Sequence, residues 1–112
     1  ELDQAPFGMV NLETTLALTI THLIAPGHLD WPTALAKLTI NPARILDVDK
    51  GTLQVGADAD ITIINPDVRW QVCSEEFYSP SSNTAYEGIE LQGRAEHVLV
   101  GGQIKYTGGK VL

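Results

Sequence analysis

Three histidines, one cysteine and a close pair of aspartates are the side chains with chemistry to offer. His22, His28 and His97 are the histidines of a 112-residue chain, and Cys73 is its cysteine. Zinc sites draw ligands from closely spaced positions, and no two of these histidines have that spacing. His22 falls within a helical pattern, His28 in a loop and His97 on a strand, so each reads as a packing or surface residue. A single cysteine allows neither an internal disulfide nor a cysteine zinc site. Cys73 reads as a half-buried strand residue. Asp58 and Asp60 flank Ala59 and have the look of a metal or acid–base pair. Aspartate also favours turns in which its carboxylate accepts nearby amides, and that structural reading is preferred. Asp3 lies too early to assign. Thr14, Thr15 and Ser74 have no histidine that the sequence places beside them, so no nucleophile is assigned.

These side chains must be positioned by helices first and strands second. Pro6 and Gly8 make the opening ELDQAPFGMV a loop, with Phe7 held between two residues that shape the backbone. Asn11 is a candidate cap. Apolar residues at 12, 16, 20, 23 and 24, with Leu18 beside them, predict a helix that ends at Pro26-Gly27. Asp30 caps a second helix, with Pro32 in its first turn and Trp31, Leu35 and Leu38 on its buried face. Asn41-Pro42 starts a third, short helix whose apolar face is Ala43, Ile45 and Leu46.

Lys50-Gly51 and Gly56 are turns, after which the period changes. Ile61 to Ile64 reads as a strand buried on both faces, Asn65-Pro66-Asp67 as a turn, and Val68, Trp70 and Val72 as one face of a further strand. The loop around Ser79-Pro80-Ser81-Ser82-Asn83 is expected to be pinned to the core by Phe77 and Tyr86. Glu96 to Val100 and Gln103 to Thr107 form a hairpin about Gly101-Gly102. Helices followed by strands indicate α+β, or pieces of two domains.

Composition sets the class. The chain is 44% hydrophobic and 19% charged, which is globular rather than disordered. A net charge of −7 argues against nucleic acid or an anionic membrane as partner. The longest apolar run, Leu16 to Ala25, is interrupted by Thr19, Thr21 and His22 and is too short to cross a bilayer. No signal peptide is read at the start. A cytoplasmic location is expected.

The stretch from Thr39 to Asp60, TINPARILDVDKGTLQVGADAD, resembles the amidohydrolase superfamily. There an "NPA" helix start followed by "KG.L..G.DAD" marks the exit from the catalytic barrel into a small β domain. The opening APFGMVNLET resembles the "APFG.VGLET" loop of dihydroorotases. In the tail, Asn83-Thr84, Tyr86, Gly88, Leu91, Gly93, the strand to Val100, Gly101 and Gly108 keep that family's order. The resemblance covers essentially the whole chain. It departs at Asp47 and Asn11, where glycine is usual. Asp47 is a residue that can take a left-handed cap.

The resemblance implies an α+β fragment. Residues 1–50 would be the last loop and helices of a (β/α)8 metal-dependent hydrolase barrel. Residues 51–112 would be the C-terminal part of a composite β-sandwich. It implies a parent enzyme that interconverts N-carbamoyl-L-aspartate and dihydroorotate, with zinc to activate water and polarise the amide carbonyl. Phe7 and Gly8 match positions that touch substrate in that family, and a bare Gly8 would let its amide approach a carboxylate closely. A plain tight turn is the other reading of that loop.

The family's His-x-His pair, its carboxylated lysine or aspartate ligand and its catalytic aspartate are absent from this sequence. The zinc ligands would therefore lie outside this chain, and the chain alone is expected to be inactive and not a well-folded monomer. The implied partners are the N-terminal remainder of the enzyme, a small-molecule substrate, a second copy in a homo-oligomer and, in the resemblance's wider circle, aspartate transcarbamoylase. The alternatives are a dihydropyrimidinase- or allantoinase-type cyclic amidase, and a non-catalytic scaffold partner of aspartate transcarbamoylase. The APFG loop favours dihydroorotase over the first.

Overall fold

The computed structural model describes residues 2–5 and 7–112; Glu1 and Pro6, the latter a member of the APFG loop, lie outside the described residues. Helices α1 (Thr15–Thr19), α2 (Trp31–Leu38) and α3 (Ile40–Ile45) precede strands β1 (Ile61–Gln71), β2 (Glu90–Val100), β3 (Gln103–Thr107) and β4 (Lys110–Val111). The strands form one antiparallel sheet in the order β1-β2-β3-β4. The α+β order expected from the change of period is present.

Helix α1 begins later than its apolar spacing predicts. The Asn11 carbonyl accepts the amides of both Thr14 and Thr15, at 3.1 and 2.9 Å, so the chain is still turning at Leu12. Leu12 is 91% exposed, and the buried line runs instead through Thr14, Ala17 and Ile20. Thr14 is a wholly buried polar residue, satisfied because its hydroxyl donates to Asn11 Oδ1 at 2.9 Å. Asn11 therefore caps through its carbonyl, and its side chain takes a hydroxyl rather than the expected amide. The helix continues as a wider π-helical turn over Ile20–Ile24, closed by the Ala25 amide on the Ile20 carbonyl at 2.8 Å.

The cap of α2 is as expected: Asp30 Oδ1 accepts the Thr33 amide at 2.9 Å. Its buried face differs, because Ala34 is fully enclosed while Leu38 is exposed. Helix α3 starts one to two residues early. Thr39 precedes it, and Asn41 and Pro42 lie inside its first turn, so Asn41 is not the cap. Pro42 fits there because first-turn amides have no partner within the helix. Of the predicted face only Ala43 is buried; Ile45 and Leu46 are exposed. Asp47 follows with φ 54°, the left-handed conformation its position requires.

Asn65-Pro66-Asp67 is not a turn between two strands. Strand β1 runs through it, and the pairing with β2 jumps from Asn65↔Arg94 to Arg69↔Gln92. A proline cannot donate to the ladder, so it sits where the ladder is interrupted. The bulge is closed locally: the Asp67 amide donates to Asn65 Oδ1 at 3.1 Å, and Gln92 Nε2 donates to the Pro66 carbonyl at 3.0 Å. The Ile61 to Ile64 run is not buried on both faces, since Thr62 and Ile63 are exposed.

The core lies where α1 crosses β2. Ala17, Val72 and Leu91 are its buried centre, with Leu18, Trp70, Phe77 and Tyr86 packed around it. Trp70 and Val72 thus take the inward face predicted for them, and Phe77 and Tyr86 pin the loop between β1 and β2 as expected. Gly93 sets how close helix and sheet come: it is buried at φ 85°, and a Cβ there would fall on the Ile20 side chain. Beside it the Thr21 hydroxyl accepts the Gln92 amide at 2.8 Å. Trp70 Nε1 donates to the Gly93 carbonyl at 3.0 Å, and the Arg94 guanidinium lies 4.6 Å from the Trp70 ring centre. Gly101-Gly102 makes the β2–β3 hairpin turn predicted from its two glycines.

Candidate functional site

The loop from Phe7 to Val10 leads into α1, and a second loop holds it from the side. Asn83 Nδ2 donates to the Gly8 carbonyl at 2.6 Å, and the Val10 amide donates to the Asn83 carbonyl at 2.8 Å. One residue of the β1–β2 loop thus grips the opening loop through its side chain and its backbone. The two loops are joined again at Glu13. Its carboxylate accepts the amides of Tyr78 and Ser79, at 3.1 and 3.0 Å. Tyr78 in turn donates its hydroxyl to the Gly109 carbonyl at 3.0 Å and accepts the Val111 amide at 3.1 Å, which ties this loop to β4.

Phe7 and Gly8 stand at the exposed end of this assembly. The Phe7 side chain is as open as in an extended chain, at 112% exposure. Gly8 differs from the glycines of the turns. It has no left-handed φ, and a Cβ built on it meets nothing within 4 Å. Among the described residues, neither backbone conformation nor crowding requires glycine there. Below the loops, α1, β2 and the β1–β2 loop enclose a mainly apolar groove of about 1000 Å³, lined by Leu16, Trp70, Phe77 and Tyr106.

Asp58 and Asp60 are brought together around a cation from the same loop. Lys50 Nζ lies 2.6 Å from Asp58 Oδ2 and 2.7 Å from Asp60 Oδ2. Asp60 Oδ1 accepts the Gly101 amide at 2.8 Å. The Lys50 hydrogen bond, and then the Gly101 amide, hold the Asp60 carboxyl below its usual range; its two aspartates push the Lys50 ammonium up. The pair is a clip from the loop after α3 to the β2–β3 turn: its role is structural, but it works through a lysine and a distant amide rather than the nearby amides expected of a turn.

The remaining candidates stay apart. His97 Nδ1 is 2.8 Å from Thr107 Oγ1 across the β2–β3 ladder. His22 and His28 are exposed, and Cys73 is half-buried after β1. Among the described residues no three His, Cys, Asp or Glu side chains gather as metal ligands. The described residues therefore do not by themselves assemble a donor set for the zinc that the family resemblance implies. Sequence reasoning missed Glu13, Asn83 and Lys50 as organising residues. Glu13 and Asn83 reach partners 65 to 75 positions away, beyond any local spacing rule. Lys50 had a local signal: a lone cation 8 and 10 positions before two aspartates.

A family model described as "Amidohydrolase family" matches residues 3–105. The chain is 49% identical over 104 residues to a dihydroorotase of Pelotomaculum thermopropionicum, covering 93% of this chain and 24% of that protein. It is 42% identical over 106 residues to a dihydroorotase of Clostridium acetobutylicum, covering 95% of this chain and 25% of that one. Among solved structures, an L-hydantoinase (dihydropyrimidinase) from Arthrobacter aurescens superposes with a TM-score of 0.92 at 29% identity, over 100% of this chain and 25% of that protein. A D-hydantoinase (dihydropyrimidinase) from a Thermus species gives 0.88 at 26% identity, over 98% of this chain and 24% of its own. The chain thus spans about a quarter of the length of these relatives.

Proposed function

The chain belongs to the amidohydrolase family, and from that premise we propose that it is the C-terminal share of a dihydroorotase. The parent would be a cyclic amidohydrolase interconverting N-carbamoyl-L-aspartate and dihydroorotate in pyrimidine synthesis. The observation that carries this reading is the 49% identity to a dihydroorotase over 93% of the chain. In this reading residues 1–50 close a (β/α)8 barrel and residues 51–112 complete a small β-sandwich. The remainder of the enzyme is the first partner, and zinc is held there, by ligands outside this chain. A cytoplasmic homo-oligomer, with or without aspartate transcarbamoylase, completes the proposal.

This chain's own contribution to the site is the Phe7–Gly8 loop at the end of the barrel, where such sites are built from loops. What supports that role is the absence of a local reason for Gly8 to be glycine. A bare backbone with no turn to serve is suited to letting a ligand come close. The Phe7 side chain, uncovered within this chain, supplies an apolar wall.

The hydantoinase likeness keeps a second reading in view, a dihydropyrimidinase-type cyclic amidase; its 29% identity is the weaker support. A non-catalytic scaffold partner of aspartate transcarbamoylase is the third. The test is an assay of the full-length, zinc-loaded protein on dihydroorotate, dihydrouracil and allantoin side by side. Turnover of dihydroorotate above the other two is expected. Preference for dihydrouracil or allantoin would move the protein to the neighbouring amidases. No turnover, with co-elution of aspartate transcarbamoylase, would establish the scaffold.

A further inference from the structure

We propose that Asn83 is a positioning residue for the Phe7–Gly8 loop, with Glu13 as the anchor behind it; this rests on the reading of that loop as substrate-contacting. Gly8 carries the freest backbone in its segment, and an unrestrained glycine would have to be ordered each time a ligand bound. Asn83 removes that freedom. Its Nδ2 fixes the Gly8 carbonyl, and because the peptide unit is planar, this also fixes the plane that continues to Met9. The Val10 amide on the Asn83 carbonyl fixes the next plane, between Met9 and Val10. Met9 is thereby straddled, and the chain before Val10 is held in one direction.

The grip needs its own support, since Asn83 is exposed and sits in an irregular loop. That support is Glu13, at the entry to α1. Its two carboxylate oxygens take successive amides of the same loop, a charge-assisted pair of bonds stronger than neutral ones. Phe77 and Tyr86 anchor the loop on either side of Asn83 through the core. The β1–β2 loop is therefore built as a brace against the opening loop.

The experiment uses the full-length protein with Asn83→Asp, which keeps the size and loses the donor, and with Glu13→Gln. Phe7→Ala and Gly8→Ala test the underlying reading. Asn83→Asp is expected to raise KM for dihydroorotate about five- to tenfold, the loss of one ordering hydrogen bond, with little change in kcat. Hydrogen exchange across residues 7–10 should quicken in the same variant, and Glu13→Gln should do likewise to a smaller degree. An unchanged KM in Asn83→Asp beside raised KM in Gly8→Ala would overturn the brace and leave the loop reading intact. Wild-type kinetics in both Phe7→Ala and Gly8→Ala would end the loop reading itself. If the protein turns over none of the substrates, unchanged exchange at residues 7–10 in Asn83→Asp still refutes the brace.

Discussion

At the residue scale the informative positions are those whose chemistry is local. Asp47 occupies a left-handed φ of 54°, and the family departure at that position is visible as strain. A non-glycine residue there costs about 1–2 kcal/mol in general, less for aspartate. Asp47→Gly in the full-length protein is therefore expected to raise stability by up to about 1 kcal/mol, read as a higher midpoint in urea. The Lys50 clip carries a pH dependence. Asp60 is held below its usual range by Lys50 and the Gly101 amide, so its stabilisation is present above about pH 4 and fades as pH falls through its folded value. Lys50 is raised by the same pair, so its share is present below about pH 10 and fades as pH climbs through its folded value. Between those limits the clip is closed. The Gly101 amide resonance, followed by NMR against pH, should move as Asp60 protonates on the acid side. In Asp60→Asn that carboxylate step should vanish.

At the element scale the controlling feature is the crossing of α1 over β2. Gly93 allows it, because Ile20 occupies the space where a Cβ would sit. Gly93→Ala combines a left-handed penalty with overpacking and should cost about 2–5 kcal/mol in urea melts of the full-length protein. Gly8→Ala is the contrast: with open space and no left-handed backbone, it should leave the urea midpoint unchanged. The order of these elements was legible from the change of apolar period after Gly56, and so were the Asp30 cap and the Gly101-Gly102 turn, because each is settled by neighbours in sequence. The buried face of α1 was not legible. Apolar spacing pointed to Leu12, while the Asn11 carbonyl delayed the helix and put Thr14 inside. Asn65-Pro66-Asp67 has turn chemistry, yet β2 and the Gln92 side chain hold it in a bulge. The loop of Phe7 and Gly8 was found through family pattern, but its brace was hidden because Glu13 and Asn83 act across distant parts of the chain.

At the scale of the whole molecule, the chain buries little of itself for its size. A free-standing globular protein of 12.1 kDa exposes about 6,000 Å² by the usual surface–mass relation, whereas this chain exposes 8080 Å². Its radius of gyration of 15.5 Å exceeds the roughly 13 Å of a compact domain of 112 residues. The excess area is larger than one partner's share of a standard protein interface, roughly 800 Å². Large apolar side chains are among what is exposed: Val55 is fully open at 107%, and Ile45, Leu46 and Leu53 are exposed as well. The long strand β1, at one edge of the sheet, adds a row of backbone groups able to pair. Opposing association is the net charge of −7, a repulsion that salt screens. Apolar burial is not weakened by that screening. The isolated chain is therefore expected to self-associate at neutral pH, and to do so more as sodium chloride is raised from about 0.01 to 0.5 M, where the Debye length drops from about 30 to roughly 4 Å. Light scattering across that series checks it. A cooperatively melting monomer at every salt concentration would mean that the surface left open here is tolerated in water rather than made to be covered by further protein.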